Sequence, residues 1–169
     1  MRLTLVDRII ELEPGQRIRA IKSLSLTEEY LKDHFPLFPV MPGVLMLESM
    51  YQTAAWLVRV TDGFRHSLVT IAEAANVKYS DFVAPGQSLR VTAELQKVDS
   101  NRYRLACQGE IGESVAVRGR LVLKAERLDA TDPSLTPTDE QILHSLKKKF
   151  RVLYPAGSLL LDQEAGTEK

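Results

Sequence analysis

The sequence predicts an α+β fold, an antiparallel sheet curled around one buried helix, and three observations lead there. A long apolar segment from Gly43 to Val60 has helical length and contains no proline. Six shorter segments read as strands bounded by turn residues, and the order along the chain is two strands, the helix, then four strands. The 169 residues and 44% hydrophobic content are enough for one core.

Leu3 to Leu12 and Arg17 to Leu24 form the first two strands, and Glu13-Pro14-Gly15-Gln16 between them favours a tight turn, so a hairpin is expected. Thr27-Glu28-Glu29 has the polar start of a short helix that ends before His34. Pro36, Pro39 and Pro42 lack backbone donors and disfavour helix at the residue before each. The long helix therefore starts near Pro42 or Gly43.

That helix is apolar on nearly all sides, the pattern of one buried in a core or wrapped by a sheet. Its apolar run is shorter than the roughly 18 residues that suggest a membrane span, and it carries Glu48 and Gln52, so no span is expected. Thr61-Asp62-Gly63 is a stop signal. Four strands follow, Leu68 to Tyr79, Ser88 to Lys97, Arg102 to Glu110 and Ser114 to Glu126. Pro85-Gly86, Asp99-Ser100-Asn101 and Ile111-Gly112-Glu113 punctuate them.

Residues 1–128 are expected to form the core domain, and 129–169 a linker, a helix and a loose tail. Ala130 to Thr138 is linker-like, and Asp139 to Tyr154 reads as a helix with Ile142, Leu143, Leu146 and Phe150 on one face and Thr138 as N-cap. Lys147, Lys148, Lys149 and Arg151 place favourable charge at the end of that helix, or alternatively a basic surface for an acidic partner. Leu159-Leu160-Leu161 is expected to fold back on the domain, and Asp162 to Lys169 to be loose. Truncation at Asp129 is expected to leave the fold intact.

Lys plus Arg and Asp plus Glu are 22 each, so the chain has no net charge and no nucleic-acid footprint. Cys107 is the only cysteine and the N-terminus has no signal-peptide apolar region, which together imply a cytoplasmic protein.

Chemistry concentrates between His34 and Gln52. Glu48 is the one charged residue in the apolar run that His34 opens, and an unpaired carboxylate in such surroundings is costly. Gln52 lies four residues on, on the same face, where its amide can orient the carboxyl group. The free N–H groups near Gly43 form a positive helix end suited to an oxyanion, and glycine lets a ligand carbonyl approach closely. Imidazole, carboxyl group and helix N-terminus supply a base, an acid and an oxyanion site. The alternative is structural, with His34 capping a turn and Glu48 making a buried hydrogen bond.

His34-Phe35-Pro36, then Pro39-Val40-Met41-Pro42-Gly43-Val44-Leu45, then Glu48 and Gln52, stand in the order and spacing of a known family. The chain resembles the 3-hydroxyacyl-acyl-carrier-protein dehydratases of type II fatty acid synthesis, which have the hotdog fold. The likeness extends upstream through Val6-Asp7-Arg8, Glu11-Leu12-Glu13-Pro14-Gly15 and Ile21-Lys22, and downstream through Tyr79 and Pro85-Gly86 to about Leu123. Two departures stand out. Family members usually have glycine where this chain has Leu37, so a positive φ there would strain the leucine or rebuild the loop. The proline- and histidine-containing lead that often precedes Val6 is not seen, and a lid contribution from it is expected to be missing.

The resemblance implies that His34 takes a proton from C2 of a (3R)-3-hydroxyacyl thioester while the Gly43 N–H receives enolate charge on the thioester oxygen. Glu48 then gives a proton to the departing C3 hydroxyl, leaving a trans-2-enoyl thioester and water. Val40's carbonyl would accept a hydrogen bond from the imidazole, and Gln52 would hold Glu48. It also implies a site between two subunits, histidine from one and carboxylate from the other, in a homodimer or a trimer of dimers. The implied partner is acyl carrier protein bearing a phosphopantetheine thioester. No cofactor is expected, since the chain has no zinc pattern, phosphate loop or dinucleotide fingerprint. Two other functions stay open, a hotdog acyl thioesterase and a non-catalytic dehydratase-like partner subunit.

Outside this constellation, His66 and His144 read as surface histidines and Cys107 as a small core residue of a strand. Arg102 with Arg104, and Arg118 with Arg120, lie two apart and so share a strand face, either solvated or docking a phosphopantetheine or carrier protein.

Overall fold

The fold follows from a helix that buries its flank against one antiparallel sheet. In the computed structural model, which describes residues 3–35 and 37–157, six strands form one antiparallel sheet. They are β1 (Arg8–Glu13), β2 (Arg17–Ser23), β3 (Leu68–Tyr79), β4 (Ser88–Asp99), β5 (Arg102–Ile111) and β6 (Ser114–Glu126), in the order β1-β2-β4-β5-β6-β3. The central helix α1 (Gly43–Thr61) touches β2, β3, β4, β5 and β6, so the sheet wraps it in the hotdog arrangement. Pro36, Leu159-Leu160-Leu161 and Asp162 to Lys169 lie outside the described residues.

Local sequence accounts for most boundaries. Gly15 takes φ +75° and the Gln16 N–H donates to the Glu13 carbonyl at 3.0 Å, closing the first hairpin. The Gly15 N–H also donates to Thr61 Oγ1 at 2.8 Å, tying that turn to the end of α1. Strand β5 alternates strictly: Tyr103, Leu105, Cys107 and Gly109 are buried, whereas Arg102 and Arg104 are exposed. Within α1, Met46, Met50, Ala54, Leu57 and Val58 are buried, and the buried Ser49 and Thr53 hydroxyls are satisfied by the carbonyls of Leu45 and Ser49 at 3.0 and 2.8 Å.

Three expectations change. First, the C-terminal helix α2 (Thr136–Leu153) begins at Thr136, not Asp139, so Thr138 is not its N-cap. Thr136 instead donates from Oγ1 to Asp129 Oδ2 and to the Pro133 carbonyl, both at 2.9 Å. Second, α2 joins the main core. Phe150 is fully buried, with ring centroids 6.0 Å from Trp56 and 5.6 Å from Phe64, and Asp139 is fully buried against Ser67, the Leu128 N–H (2.7 Å) and Arg127 (2.8 Å). Third, the left-handed backbone falls on Phe35, at φ +51°, and not on Leu37. The Phe38 N–H closes the turn on the Phe35 carbonyl at 2.7 Å, so Leu37 sits fully exposed at its tip without φ strain.

Candidate active site

Gly43 opens α1 after Pro42, whose fixed φ suits a helix entry. The Leu45 and Met46 N–H groups both turn back to the Pro42 carbonyl, at 2.9 and 3.2 Å, and no side chain caps the first turn. The N–H groups of Gly43 and Val44 are therefore the ones presented at the positive end of the helix. Packing here is close: a Cβ on Gly43 would lie 3.2 Å from the Tyr79 ring, which would have to shift by a few tenths of an ångström to admit it.

Five residues on, Glu48 is half-buried and the Gln52 amide donates to its Oε1 at 2.9 Å, the contact that the four-residue spacing makes available. Gln52 is itself fixed from both sides. Its Nε2 also donates to the Leu3 carbonyl at 3.0 Å, and its Oε1 accepts the Leu5 N–H at 2.9 Å. The carboxyl group thus keeps one oxygen committed and the other, Oε2, for a ligand. Gln52→Leu is expected to release both Glu48 and the N-terminal segment. The effect to look for is a loss of roughly 10-fold or more in kcat with the fold retained by circular dichroism, since a misplaced catalytic group costs on that order or more.

His34 is half-buried on the loop before α1, its ring 4.3 Å from that of Phe35. Among the described residues it makes no hydrogen bond within its own chain, neither to Glu48 nor to the carbonyl of the buried Val40. Gly43, Glu48 and Gln52 are brought together on one helix, and His34 and Val40 are not joined to them by any hydrogen bond of a single chain.

The remaining candidates resolve into structural roles. His66 Nδ1 bonds the buried Asp62 carboxylate at the end of α1, which also receives Arg65 at 2.7 Å. Cys107 is buried and desolvation pushes its thiol up to about 12, which suppresses the thiolate a nucleophile needs. Lys147 stands 5.9 Å over the Phe64 ring and Lys149 donates to Thr4 Oγ1 at 3.3 Å, so part of the basic cluster packs inward. No group of three His, Cys, Asp or Glu side chains among the described residues is arranged to hold a metal, and no described helix is long and apolar enough to cross a membrane.

Two openings stand out, and only the smaller includes residues of the site. A cleft of about 810 Å³ lies on the outer sheet face among Lys78, Glu94, Gln108, Arg118 and Arg120. A smaller cavity of about 260 Å³ contains Glu48 and Gln52. Sequence reasoning missed Arg59 in its wall and placed Lys149, also in the wall, only within a basic cluster. Arg59 follows Glu48, Gln52 and Trp56 on one helix face, which was the signal available for it.

Residues 1–126 match the family model described as the FabA-like domain. A 3-hydroxyacyl-acyl-carrier-protein dehydratase FabZ from Wolbachia pipientis wMel is 37% identical over 109 residues, which is 64% of this chain and 76% of that protein. The protein of the same name from Syntrophomonas wolfei is 37% identical over 118 residues, covering 70% of this chain and 82% of its own. Among solved structures, the dehydratase heterocomplex ApeI:P from Xenorhabdus doucetiae superposes with a TM-score of 0.62 at 16% identity, over 79% of this chain and 90% of that one. A conserved protein from Pseudomonas aeruginosa gives 0.57, also at 16%, over 70% and 86%. These two likenesses carry the fold alone.

Proposed function

This chain belongs to the FabA-like family, among the 3-hydroxyacyl-acyl-carrier-protein dehydratases, and from that premise we propose that it dehydrates (3R)-3-hydroxyacyl-acyl-carrier-protein to the trans-2-enoyl thioester in fatty acid biosynthesis. The observation that carries the reading is the Glu48 carboxyl group held by Gln52 five residues into a helix whose N-terminus has no capping side chain. The thioester oxygen lies at the Gly43 N–H, where the aligned backbone dipoles stabilise the enolate charge that develops as His34 removes the C2 proton. Glu48 delivers its proton to the C3 hydroxyl, the C3–O bond breaks, and the C2–C3 double bond forms. The His34 proton returns Glu48 to its starting state through solvent or the departing water. Catalysis needs no electron acceptor and balances as loss of one water.

The absence of a hydrogen bond between His34 and Glu48 within one chain supports a site completed across a dimer. Strand β3 supports it as well. It is 12 residues long, pairs only with β6, and leaves most of its length from Thr70 to Ser80 exposed. An unpaired edge of that length is a template for a second copy. Phe35, Leu37, Phe38, Val44 and Phe82 add exposed apolar area around the helix entry, with Phe38 and Phe82 edge to face at 5.9 Å. Residues 1–128 serve as the catalytic unit and 129–169 as an extension, in a cytoplasmic homodimer or trimer of dimers receiving substrate on acyl carrier protein.

The test is hydration of crotonyl thioester, on carrier protein and on coenzyme A, followed by loss of enoyl absorbance. Turnover supports a dehydratase that tolerates Leu37. Free thiol without hydration points to a thioesterase, and inactivity on both carriers points to a partner subunit.

A further inference from the structure

Arg59 is the least explained charge in the molecule. Its guanidinium lies 5.2 Å over the Trp56 ring, its Nε is buried without a hydrogen-bond partner, and among the described residues no carboxylate pairs with it. Burial lowers its pKa, which expresses the same cost. A cation in the last turn of α1 complements the helix dipole, but a solvated side chain would do that equally well. What the dipole does not explain is why the Nε of this half-buried side chain is left without a partner in the wall of the cavity that contains Glu48.

That cavity has a direction. The oxyanion position at Gly43 and the C3 position at Glu48 run along α1, so acyl carbons beyond C3 continue toward its C-terminal end. Arg59 is 11 residues past Glu48, about 16 Å along the axis at 1.5 Å per residue, and both side chains lean back toward the N-terminus, so the separation of their charged ends is of the same order. The far wall is supplied by Leu146 and Lys149 of α2, beyond the residues that match the family model.

We propose that the cavity selects acyl chains whose far end carries a carboxylate, with Arg59 receiving that group as a specificity-determining residue. The direction of the chain rests on the dehydratase reading. The pocket's positive charge rests on Arg59 beside Trp56 and is independent of that reading.

Trp56 is the only tryptophan, so its emission reports occupancy of the cavity in the full-length protein without any need for turnover. The probes are coenzyme A thioesters of hexadecanoic acid and of hexadecanedioic acid with its second carboxyl free, a chain long enough to run from Glu48 to Arg59. The hexadecanedioic half-thioester is expected to bind about 10- to 100-fold more tightly, the range of a charge-assisted hydrogen bond. Arg59→Met should bring that ratio to about one, and Arg59→Lys, which keeps the charge, should retain part of it. Equal affinities in the wild-type protein, no Trp56 response to either thioester, or a ratio that persists in a folded Arg59→Met would each overturn the proposal. If Arg59→Met does not fold, the wild-type ratio decides. Failure of crotonyl hydration with the preference intact removes only the dehydratase reading, and hydration with equal affinities removes only the carboxylate site.

Discussion

His34→Ala is expected to leave the protein folded and to lower enoyl hydration by roughly 100- to 10,000-fold, the range contributed by a positioned general base. The side chain lies on an exposed turn and, among the described residues, holds no hydrogen bond that its removal would break. Glu48→Gln should fall in the same range, because an amide retains the contact from Gln52 in altered form and has no proton to give. The mixing experiment is sharper than either variant alone. If the imidazole and carboxyl group of one site come from different chains, a heterodimer of His34→Ala and Glu48→Gln contains one intact site and one site lacking both groups. Unfolding and refolding the two variants together at equal amounts should then restore about a quarter of wild-type activity, with half the dimers mixed and half their sites intact. Activity that stays at the level of the separate variants would place both groups within one chain.

Removal of α2 is expected to have the largest effect on stability. Read from composition, the segment after Asp129 looked dispensable, yet it inserts Phe150 between Trp56 and Phe64 and buries Leu153 and Asp139. Phe150→Ala alone should cost about 3–5 kcal/mol, since a fully buried ring leaves a cavity its neighbours fill only in part. For a chain of this length that corresponds to a fall in Tm of roughly 6–20 °C by calorimetry. Truncation at Asp129 loses the same ring and, with it, the acceptor that satisfies Ser67, Arg127 and the Leu128 N–H. It should yield an unstable or insoluble protein. A truncated chain that melts within a few degrees of the full length would show that the contacts of α2 are energetically neutral.

What the sequence by itself determined is what depends on neighbours along the chain. The start of α1 after Pro42, the strands Leu68–Tyr79 and Ser114–Glu126, the hairpin at Gly15 and the reach of Gln52 to Glu48 all follow from dihedral restriction, period-2 alternation or helical spacing. Each is decided within about four residues, so each was legible. Only the tertiary structure decided that the left-handed turn residue is Phe35 and not Leu37, because where the loop bends depends on how it is anchored at both ends. It also decided that α2 belongs to the core and that Arg59 is half-buried beside Trp56 in the cavity of Glu48, its Nε without a partner. Phe150 and Trp56 are far apart in sequence, and a basic residue in the last turn of a helix looks the same whether it faces water or a cavity. The burial of a charge is a property of what packs over it, and that is fixed by contacts between distant segments, which local periodicity does not encode.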